Sequence, residues 1–131
     1  MATLPDNAKA LIDKHEYATI ATIEPDGQPH LSIVWVARDG DDLLVSTTTN
    51  RRKYANLVRD PRATVCLYDR ANPFAYLEVR GDVEMTEEGG RELIDQLARD
   101  YVGAERYTMD DGTDNVRTVL RVKPRKVVFS G

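Results

Sequence analysis

The chain has 131 residues, which fits one domain with a substantial core. Its net charge of −4 argues against a nucleic-acid partner, and its single cysteine, Cys66, excludes an internal disulfide and a cysteine metal cluster. Because no apolar run is long enough to span a membrane and no signal peptide is evident, we predict a single cytoplasmic domain over 1–131 with no membrane partner.

One amphipathic helix opens the chain and is followed by strands separated by turns. The helix is predicted over 5–14, with Ala8, Leu11 and Ile12 on its apolar face. The turn over 25–28 follows from its proline, which presets φ, and its glycine, which accepts positive φ. Alternating β-branched residues on either side of such turns predict three strands, over 17–23, 30–38 and 43–47.

The second half of the chain is predicted to be mostly β structure around one long helix. Strands are predicted over 63–68, 74–85, 116–122 and 126–129, with a bulge at Gly81 and an interruption at Pro124. Thr86 is the predicted N-cap of a helix that reaches residue 101, and 102–115 is predicted to be a loop. This many short antiparallel strands predict a small β-barrel.

A short helix is also predicted directly after the third strand. Asn50 is a suitable N-cap, and Tyr54, Leu57 and Val58 recur at helical spacing. The helix should end at Asp60, because the proline that follows disfavours helical backbone in the residue before it.

The first turn of this short helix carries three cations, Arg51, Arg52 and Lys53. A helix N-terminus already has positive potential, so cations there destabilise the helix unless an anion binds. We therefore predict a phosphate site at this turn. The alternative is that residues 48–50 cap the helix while the three cations are simply solvated.

Few other side chains indicate chemistry. Trp35 is interpreted either as a wall for a planar ring or as an aromatic of the core or of a dimer interface. His30 is interpreted as an exposed residue at a strand end rather than a proton donor, and Cys66 as a small buried hydrophobe. The histidines and the cysteine have no metal-ligand spacing, and no nucleophile motif is present. If the protein is an enzyme, a bound cofactor would therefore have to supply the difficult chemistry.

Two motifs resemble those of a known family. D-G-x-P-H-x-S-x-V-W covers 26–35, and S-T-x-x-x-R-x-K-x-x-N-L covers 46–57 and is followed by R-D-P-R. Together with the order of elements, they resemble the split-barrel flavin-binding fold of the pyridoxamine 5′-phosphate oxidase-like superfamily. The segment is most similar to its actinobacterial F420-dependent branch, the flavin/deazaflavin oxidoreductases of type B. The resemblance covers nearly the whole chain and implies a mainly β fold, an antiparallel split β-barrel with a few short flanking helices.

The resemblance also implies a homodimer with cofactor sites between the subunits. Arg51 and Lys53 match the family positions that hold the cofactor phosphate. Ser46, Thr47 and Thr48 match the strand end that meets the phosphate and the ribityl chain. Ser32, Val34 and Trp35 match the strand that borders the ring system. Tyr68 and Tyr76 are candidates for completing the partner's site, and Arg52 and Arg59 for meeting the acidic tail of F420.

The activity implied is that of an F420-dependent oxidoreductase. It would transfer a hydride from reduced deazaflavin to an electron-poor small molecule, such as an enone, a quinone or a tetrapyrrole like biliverdin. FMN is the alternative cofactor, and a non-catalytic flavin or deazaflavin binder is the alternative of another class. Classical pyridoxamine phosphate oxidases have a C-terminal segment with arginine and tryptophan. This chain has no tryptophan beyond Trp35, so that activity is not expected.

Overall fold

The computed structural model describes residues 2–131 as mainly antiparallel β structure with three helices, as predicted. The helices are α1 (Asp6–Ile12), α2 (Arg52–Arg59) and α3 (Gly90–Val102). The strands are β1 (Ala18–Ile23), β2 (Pro29–Val34), β3 (Ala37–Asp39), β4 (Asp42–Thr48), β5 (Arg62–Asp69), β6 (Asn72–Thr86) and β7 (Arg117–Ser130).

All seven strands belong to one sheet in the order β2-β1-β5-β6-β7-β4-β3. Its two edge strands, β2 and β3, are consecutive in the chain and are joined only by Trp35 and Val36. The link from Val34 to Ala37 spans at most about 11 Å, so the two edges of the sheet lie close together. The sheet therefore curls into a barrel with a seam at Trp35 and Val36. The single strand predicted over 30–38 is wrong, because the chain changes edge there.

The core fills the inside of this curled sheet. Apolar residues alternate with more exposed ones along the strands, and α1 contributes Ala8, Leu11 and Ile12 as predicted. A smaller apolar cluster lies under α3 and includes Leu93, Leu97 and Val119, with Trp35 packed against it.

Two predictions about the long strands have different outcomes. The bulge at Gly81 is confirmed, because the register of β6 against β7 shifts between Arg80 and Gly81. The interruption at Pro124 is wrong: β7 is continuous, and Pro124 lies opposite Gly81 in the bulge. A proline, which has no N–H to donate, is tolerated in a sheet at such irregular positions.

Two predicted N-caps are also wrong. α3 begins after Gly89, which has a φ of 81°, while Thr86 instead accepts a hydrogen bond from the N–H of Glu88. α2 begins after Arg51, and Asn50 forms hydrogen bonds away from the helix. In both cases the helix starts later than local capping preferences indicate: Thr86 is still the last residue of β6, and Asn50 is bound to Asn115.

The outer side of β2, β1, β5 and β6 exposes several apolar side chains beside the ion pair of Glu78 and Arg80. We call it the outer face. It includes exposed side chains that alternate with the core residues of these strands, namely Leu31, Ile33, Cys66, Tyr68 and Tyr76. The prediction that Cys66 is buried is therefore wrong for this chain, since it points outward between the buried Val65 and Leu67. Val58, predicted on the apolar side of α2, is also exposed.

Candidate functional site

A cavity of about 260 Å³ lies where β4 meets α2, beside the seam. Its walls come from elements far apart in the sequence: β2 and the seam, β4, α2, α3 and the start of β7. The residues that line it are Tyr17, Ile33, Val34, Trp35, Ser46, Thr47, Thr48, Arg51, Lys53, Ile94, Leu97, Tyr107 and Arg117. The lining thus combines an aromatic and apolar side with hydroxyl and cationic groups.

The first turn of α2 contributes cations and backbone donors to this cavity. Arg51 occupies the N-cap position with extended backbone, and no side chain caps the helix. The Thr48 hydroxyl instead donates to Asn50 Oδ1 at 2.5 Å, and Asn50 Nδ2 donates to Asn115 Oδ1 at 3.2 Å. The alternative in which residues 48–50 cap the helix is therefore not what the fold adopts. Helix N-termini with uncapped N–H groups favour anions.

Lys53 is the most unusual group of the site. It is only 8% exposed, and within residues 2–131 no carboxylate lies within ion-pair distance of its ammonium group. Burial lowers the pKa of Lys53, and the nearby positive charges of Arg51 and Arg117 lower it further. A buried ammonium group without a counter-charge is costly, and a bound anion would remove that cost.

Arg117 adds a third cation, held by Asp110. Its Nε and Nη2 lie 2.7 and 3.1 Å from the two Asp110 oxygens, and both side chains are about nine-tenths buried. Its remaining nitrogen, Nη1, is 3.4 Å from Ser46 Oγ. The guanidinium also lies over the Tyr107 ring, with Cζ 4.7 Å from the centroid.

Two buried hydroxyl groups next to the cations have no hydrogen-bond partner. They are Thr47 Oγ1, on β4, and Thr118 Oγ1, directly opposite it on β7. Of the two, Thr47 lines the cavity, whereas Thr118 lies outside the lining. The Thr47 hydroxyl and the Lys53 ammonium group are thus two donors on this side of the cavity that an oxygen-rich anion could accept from.

The other side of the cavity is aromatic. Tyr101 of α3 lies between Trp35 and Tyr17, with centroid distances of 5.5 and 5.9 Å and nearly parallel rings. Tyr107 meets the edge of Trp35 at 6.3 Å and 86°. Trp35 therefore packs against the small core cluster and also lines the cavity. It is both a core aromatic and part of a cavity wall.

The cavity brings together seven of the eight residues predicted to bind the cofactor. They are Val34, Trp35, Ser46, Thr47, Thr48, Arg51 and Lys53. Ser32 is outside the lining; its buried Oγ has no hydrogen-bond partner among residues 2–131. The sequence did not indicate Arg117, Tyr107, Tyr17, Ile94 or Leu97. The one sequence feature that could have indicated Arg117 as a site residue is its place at the start of a strand, directly after a segment without periodicity.

Arg52 and Arg59, the two candidates for an acidic tail, have partners within the chain. Arg52 Nη1 forms an ion pair with Glu24 at 2.9 Å. Arg59 donates to the Ile23 carbonyl oxygen and, at 3.4 Å, to Asn56. Of the three cations in the first turn, Arg51 and Lys53 face the cavity while Arg52 is directed to the β1–β2 turn.

A larger cavity, of about 410 Å³, lies at one end of the outer face but has a different character. Each of its three arginines already has a carboxylate partner: the pairs are Arg62 with Asp60, Arg80 with Glu78 and Arg125 with Asp82. The smaller cavity is the better candidate site, because its Lys53 is buried without such a partner.

The part of the chain that is described contains neither a metal cluster nor a membrane-spanning helix. Across residues 2–131, no three or more His, Cys, Asp or Glu side chains are placed to hold a metal ion. Over the same residues, no helix is long and apolar enough to cross a membrane.

A curled antiparallel sheet with a cationic and aromatic cavity at its seam defines a class of small split-barrel domains. A family model described as pyridoxamine 5′-phosphate oxidase matches residues 4–131, and the chain belongs to this family. The split-barrel fold predicted from the sequence is thereby confirmed.

Solved structures support the same assignment. A protein named F420 reductase is 31% identical with a TM-score of 0.84, and the match covers 95% of this chain and 98% of that one. A conserved hypothetical protein from Mycobacterium tuberculosis is 25% identical with a TM-score of 0.80, covering 99% and 86%. A pyridoxamine 5′-phosphate oxidase-related, FMN binding protein from Nostoc punctiforme shares the fold at 18% identity and a TM-score of 0.67, covering 97% and 84%.

Proposed function

We propose that the protein is an F420-dependent oxidoreductase that reduces an electron-poor small molecule, such as an enone, a quinone or a tetrapyrrole like biliverdin. The observation that carries this proposal is the buried, unpaired Lys53 at an uncapped helix start, in a cavity with an aromatic wall. The likeness to a protein named F420 reductase over almost the full length of both chains supports the choice of cofactor.

The residues present fit a phosphate-bearing cofactor with a planar ring. Lys53, Arg51 and the unpaired Thr47 hydroxyl supply the donors and charge that a phosphate needs. Trp35 and Tyr107 supply apolar surface for a ring. Reduced deazaflavin, when bound, supplies a hydride from C5 to the electron-poor carbon, and the substrate takes the accompanying proton from solvent or an acid.

The chain's own part would be binding, orientation and exclusion of water. The cations fix one end of the ligand, and the seam residue Trp35, stacked on Tyr101, fixes the wall against which the other end lies. No carboxylate or histidine lines the described cavity, so within one chain the side chains that could donate a proton are Lys53, Tyr17 and Tyr107. This agrees with chemistry that belongs to the cofactor.

FMN is the second candidate cofactor, because the cationic side of the cavity would recognise a phosphate irrespective of the ring. A yellow preparation whose released chromophore has the FMN spectrum would favour FMN. A non-catalytic binder is the candidate of another class, and the lack of an acidic or histidine side chain in the lining supports it. Turnover of enones and quinones with reduced F420 would separate an enzyme from a binder.

We further propose a homodimer that buries the outer face and completes the cavity. Ile33 and Tyr17 are both exposed and both belong to the cavity lining, so the outer face is continuous with the site. Large apolar patches of this kind are typical of protein interfaces. Tyr68 and Tyr76, also on this face, remain the predicted contributors to the partner's site, and a cytoplasmic location remains a prediction.

One titration tests the central proposal. The purified protein is titrated separately with F420 and with FMN while ligand fluorescence is followed. We expect saturable binding of F420 that is tighter than that of FMN and is weakened at least tenfold by Lys53→Ala. Tight FMN binding with no measurable affinity for F420 would refute F420 dependence.

A further inference from the structure

The segment between α3 and β7, residues 103–116, is organised around one carboxylate. Asp110 accepts hydrogen bonds from Arg117 at 2.7 and 3.1 Å, from Asn115 at 3.0 Å and from Arg91 at 3.3 Å. Its backbone carbonyl also accepts the Thr113 hydroxyl at 2.7 Å. The hydrogen bond from Arg117 is the largest cause that lowers the pKa of Asp110. This buried carboxylate is therefore charged and closely held.

Asp110 fixes the direction of Arg117. Two of the three guanidinium nitrogens bind its carboxylate, so the guanidinium plane is set and Nη1 is directed at Ser46, within the cavity lining. The contact with the Ser46 hydroxyl is long, at 3.4 Å, so Nη1 retains donors for another acceptor. The Tyr107 ring closes the other side of the guanidinium.

Arg117 also lies beside the first turn of α2. In the antiparallel register Thr48 pairs with Arg117, and Thr48 is the last residue of β4 before that turn. The positive charge of Arg117 is close enough to contribute to the lowered pKa of Lys53. Three cations, Arg51, Lys53 and Arg117, therefore surround one part of a lining that contains no carboxylate among the described residues.

We propose that Arg117 is a third anion-binding group of the cavity, and that Asp110 is the positioning residue that directs it there. The proposal rests on the proposed function, in which a phosphate-bearing cofactor occupies the cavity, and it assigns to residues 103–116 the task of presenting Arg117. Arginine suits this task because its planar guanidinium has several donors. Nε and Nη2 can stay bound to Asp110 while Nη1 donates to a bound anion.

The test compares ligands with and without the phosphate ester. Dissociation constants are measured for FMN against riboflavin, which differ only in the phosphate, and for F420 against the ribityl deazaflavin that lacks its phosphate and acidic tail. We expect Arg117→Ala to weaken the phosphorylated ligand of each pair about ten- to a hundredfold, the usual range for losing a hydrogen bond to a charged group, and to leave the other within about twofold. Equal losses for both members of a pair, or none, would overturn the role of Arg117.

A matched control removes another arginine of the same segment. Arg106 forms an exposed ion pair with Asp111 at 2.7 Å and does not line the cavity. Arg106→Ala should leave the preference for the phosphorylated ligand unchanged. If it reduced that preference as much as Arg117→Ala does, general loosening of the segment would be the cause, and the specific role of Arg117 would be refuted.

Asp110 is tested through a double-mutant cycle. Asp110→Asn keeps the shape of the side chain but removes its charge, and we expect it to reduce the preference for the phosphorylated ligand. In the Arg117→Ala background it should have no further effect on that preference, because Asp110 acts through Arg117. A stronger preference in Asp110→Asn would mean that Asp110 only neutralises Arg117, which would contradict a positioning role.

The choice of ligand distinguishes a wrong role for Arg117 from a wrong cofactor. If the protein binds flavins but not F420, the choice of cofactor fails while the flavin pair still tests Arg117. If it binds no cofactor, inorganic phosphate is the remaining probe, and it should raise the melting temperature of the wild type more than that of Arg117→Ala. An equal rise in both proteins, or no rise in either, would overturn the inference.

Discussion

The Tyr101 hydroxyl hydrogen-bonds the backbone of Val36. It accepts the Val36 N–H at 3.0 Å, and its single proton can be donated to the Glu16 carbonyl oxygen at 2.9 Å or to the Val36 carbonyl oxygen at 3.1 Å. Val36 is fully buried at the seam, between the end of β2 and the start of β3. A side chain of α3 thus accepts the N–H that a neighbouring strand would otherwise bind.

We predict that Tyr101→Phe destabilises the fold by about 1–3 kcal/mol, because it leaves the buried N–H of Val36 unpaired. The change in the free energy of unfolding is measured by urea denaturation. Tyr17→Phe is the matched control, since Tyr17 belongs to the same aromatic stack but is 55% exposed. The prediction is wrong if the two variants lose the same stability.

The pKa of Lys53 predicts how affinity for phosphate depends on pH. Burial and two neighbouring cations lower this pKa from 10.5, so Lys53 loses its charge at a lower pH than an ordinary lysine. Above about pH 7, where the FMN phosphate is doubly charged, the affinity for FMN relative to riboflavin should therefore fall as the pH rises through the lowered pKa of Lys53. Isothermal titration across neutral and alkaline pH measures this ratio.

Lys53→Arg is the control for this titration, because arginine stays charged over the whole range. In that variant the ratio should not fall over the same pH range. The unliganded wild type should show the opposite trend in stability. Its folded state binds a proton at Lys53 less readily than the unfolded state, so its free energy of unfolding should rise from the lowered pKa up to 10.5. An identical pH profile in both proteins would exclude Lys53 as the titrating group.

The proposed dimer predicts that a charge on the outer face disrupts both assembly and binding. Ile33 is 67% exposed on this face and also lines the cavity. Ile33→Glu should give a monomer by sedimentation velocity and weaken cofactor binding at least tenfold. Val58→Glu, at a comparably exposed apolar position on α2, should do neither. A wild type that sediments as a monomer would contradict the proposal.

Cys66 offers an independent measurement of the same interface. It is exposed on the outer face of one chain, where partial burial and the charge of Glu78 raise the pKa of its thiol. A dimer would cover it, so we expect its reaction with a thiol reagent to be slow in the wild type and faster in Ile33→Glu. Equal rates in the two folded proteins would show that the interface lies elsewhere.

Gly90 predicts a link between the packing of α3 and the position of Arg117. A Cβ atom at Gly90 would overlap the Arg117 carbonyl oxygen, so Gly90→Ala must displace α3 or β7. Overpacking of this kind costs about 1–3 kcal/mol, and here it should also reduce the preference for FMN over riboflavin.

Gly81→Ala is the matched control for Gly90→Ala. Its Cβ would overlap the Lys123 carbonyl oxygen at the bulge, away from the cavity lining. It should destabilise the fold similarly without changing the preference for the phosphorylated ligand. If both variants changed that preference equally, the link between Gly90 and Arg117 would be refuted.

Local pattern predicted most of the elements and failed where distant contacts decide the geometry. The turn at 25–28 and the bulge at Gly81 depend on nearby residues, and both are in the structure. The seam at Trp35 has no local signal, because β-type residues continue on both sides of it. Cys66 was misassigned since apolar composition alone does not tell which side of a curled sheet is covered.

The sequence by itself determined that cations follow a strand end at the first turn of a short helix, because charge and helical spacing are local properties of residues 46–60. Only the tertiary structure decided what these cations can do. It buried Lys53, turned Arg52 to Glu24, and brought Arg117 beside them through the pairing of β4 with β7. The register of two strands so distant in sequence depends on closure of the whole sheet, which no local pattern of residues specifies.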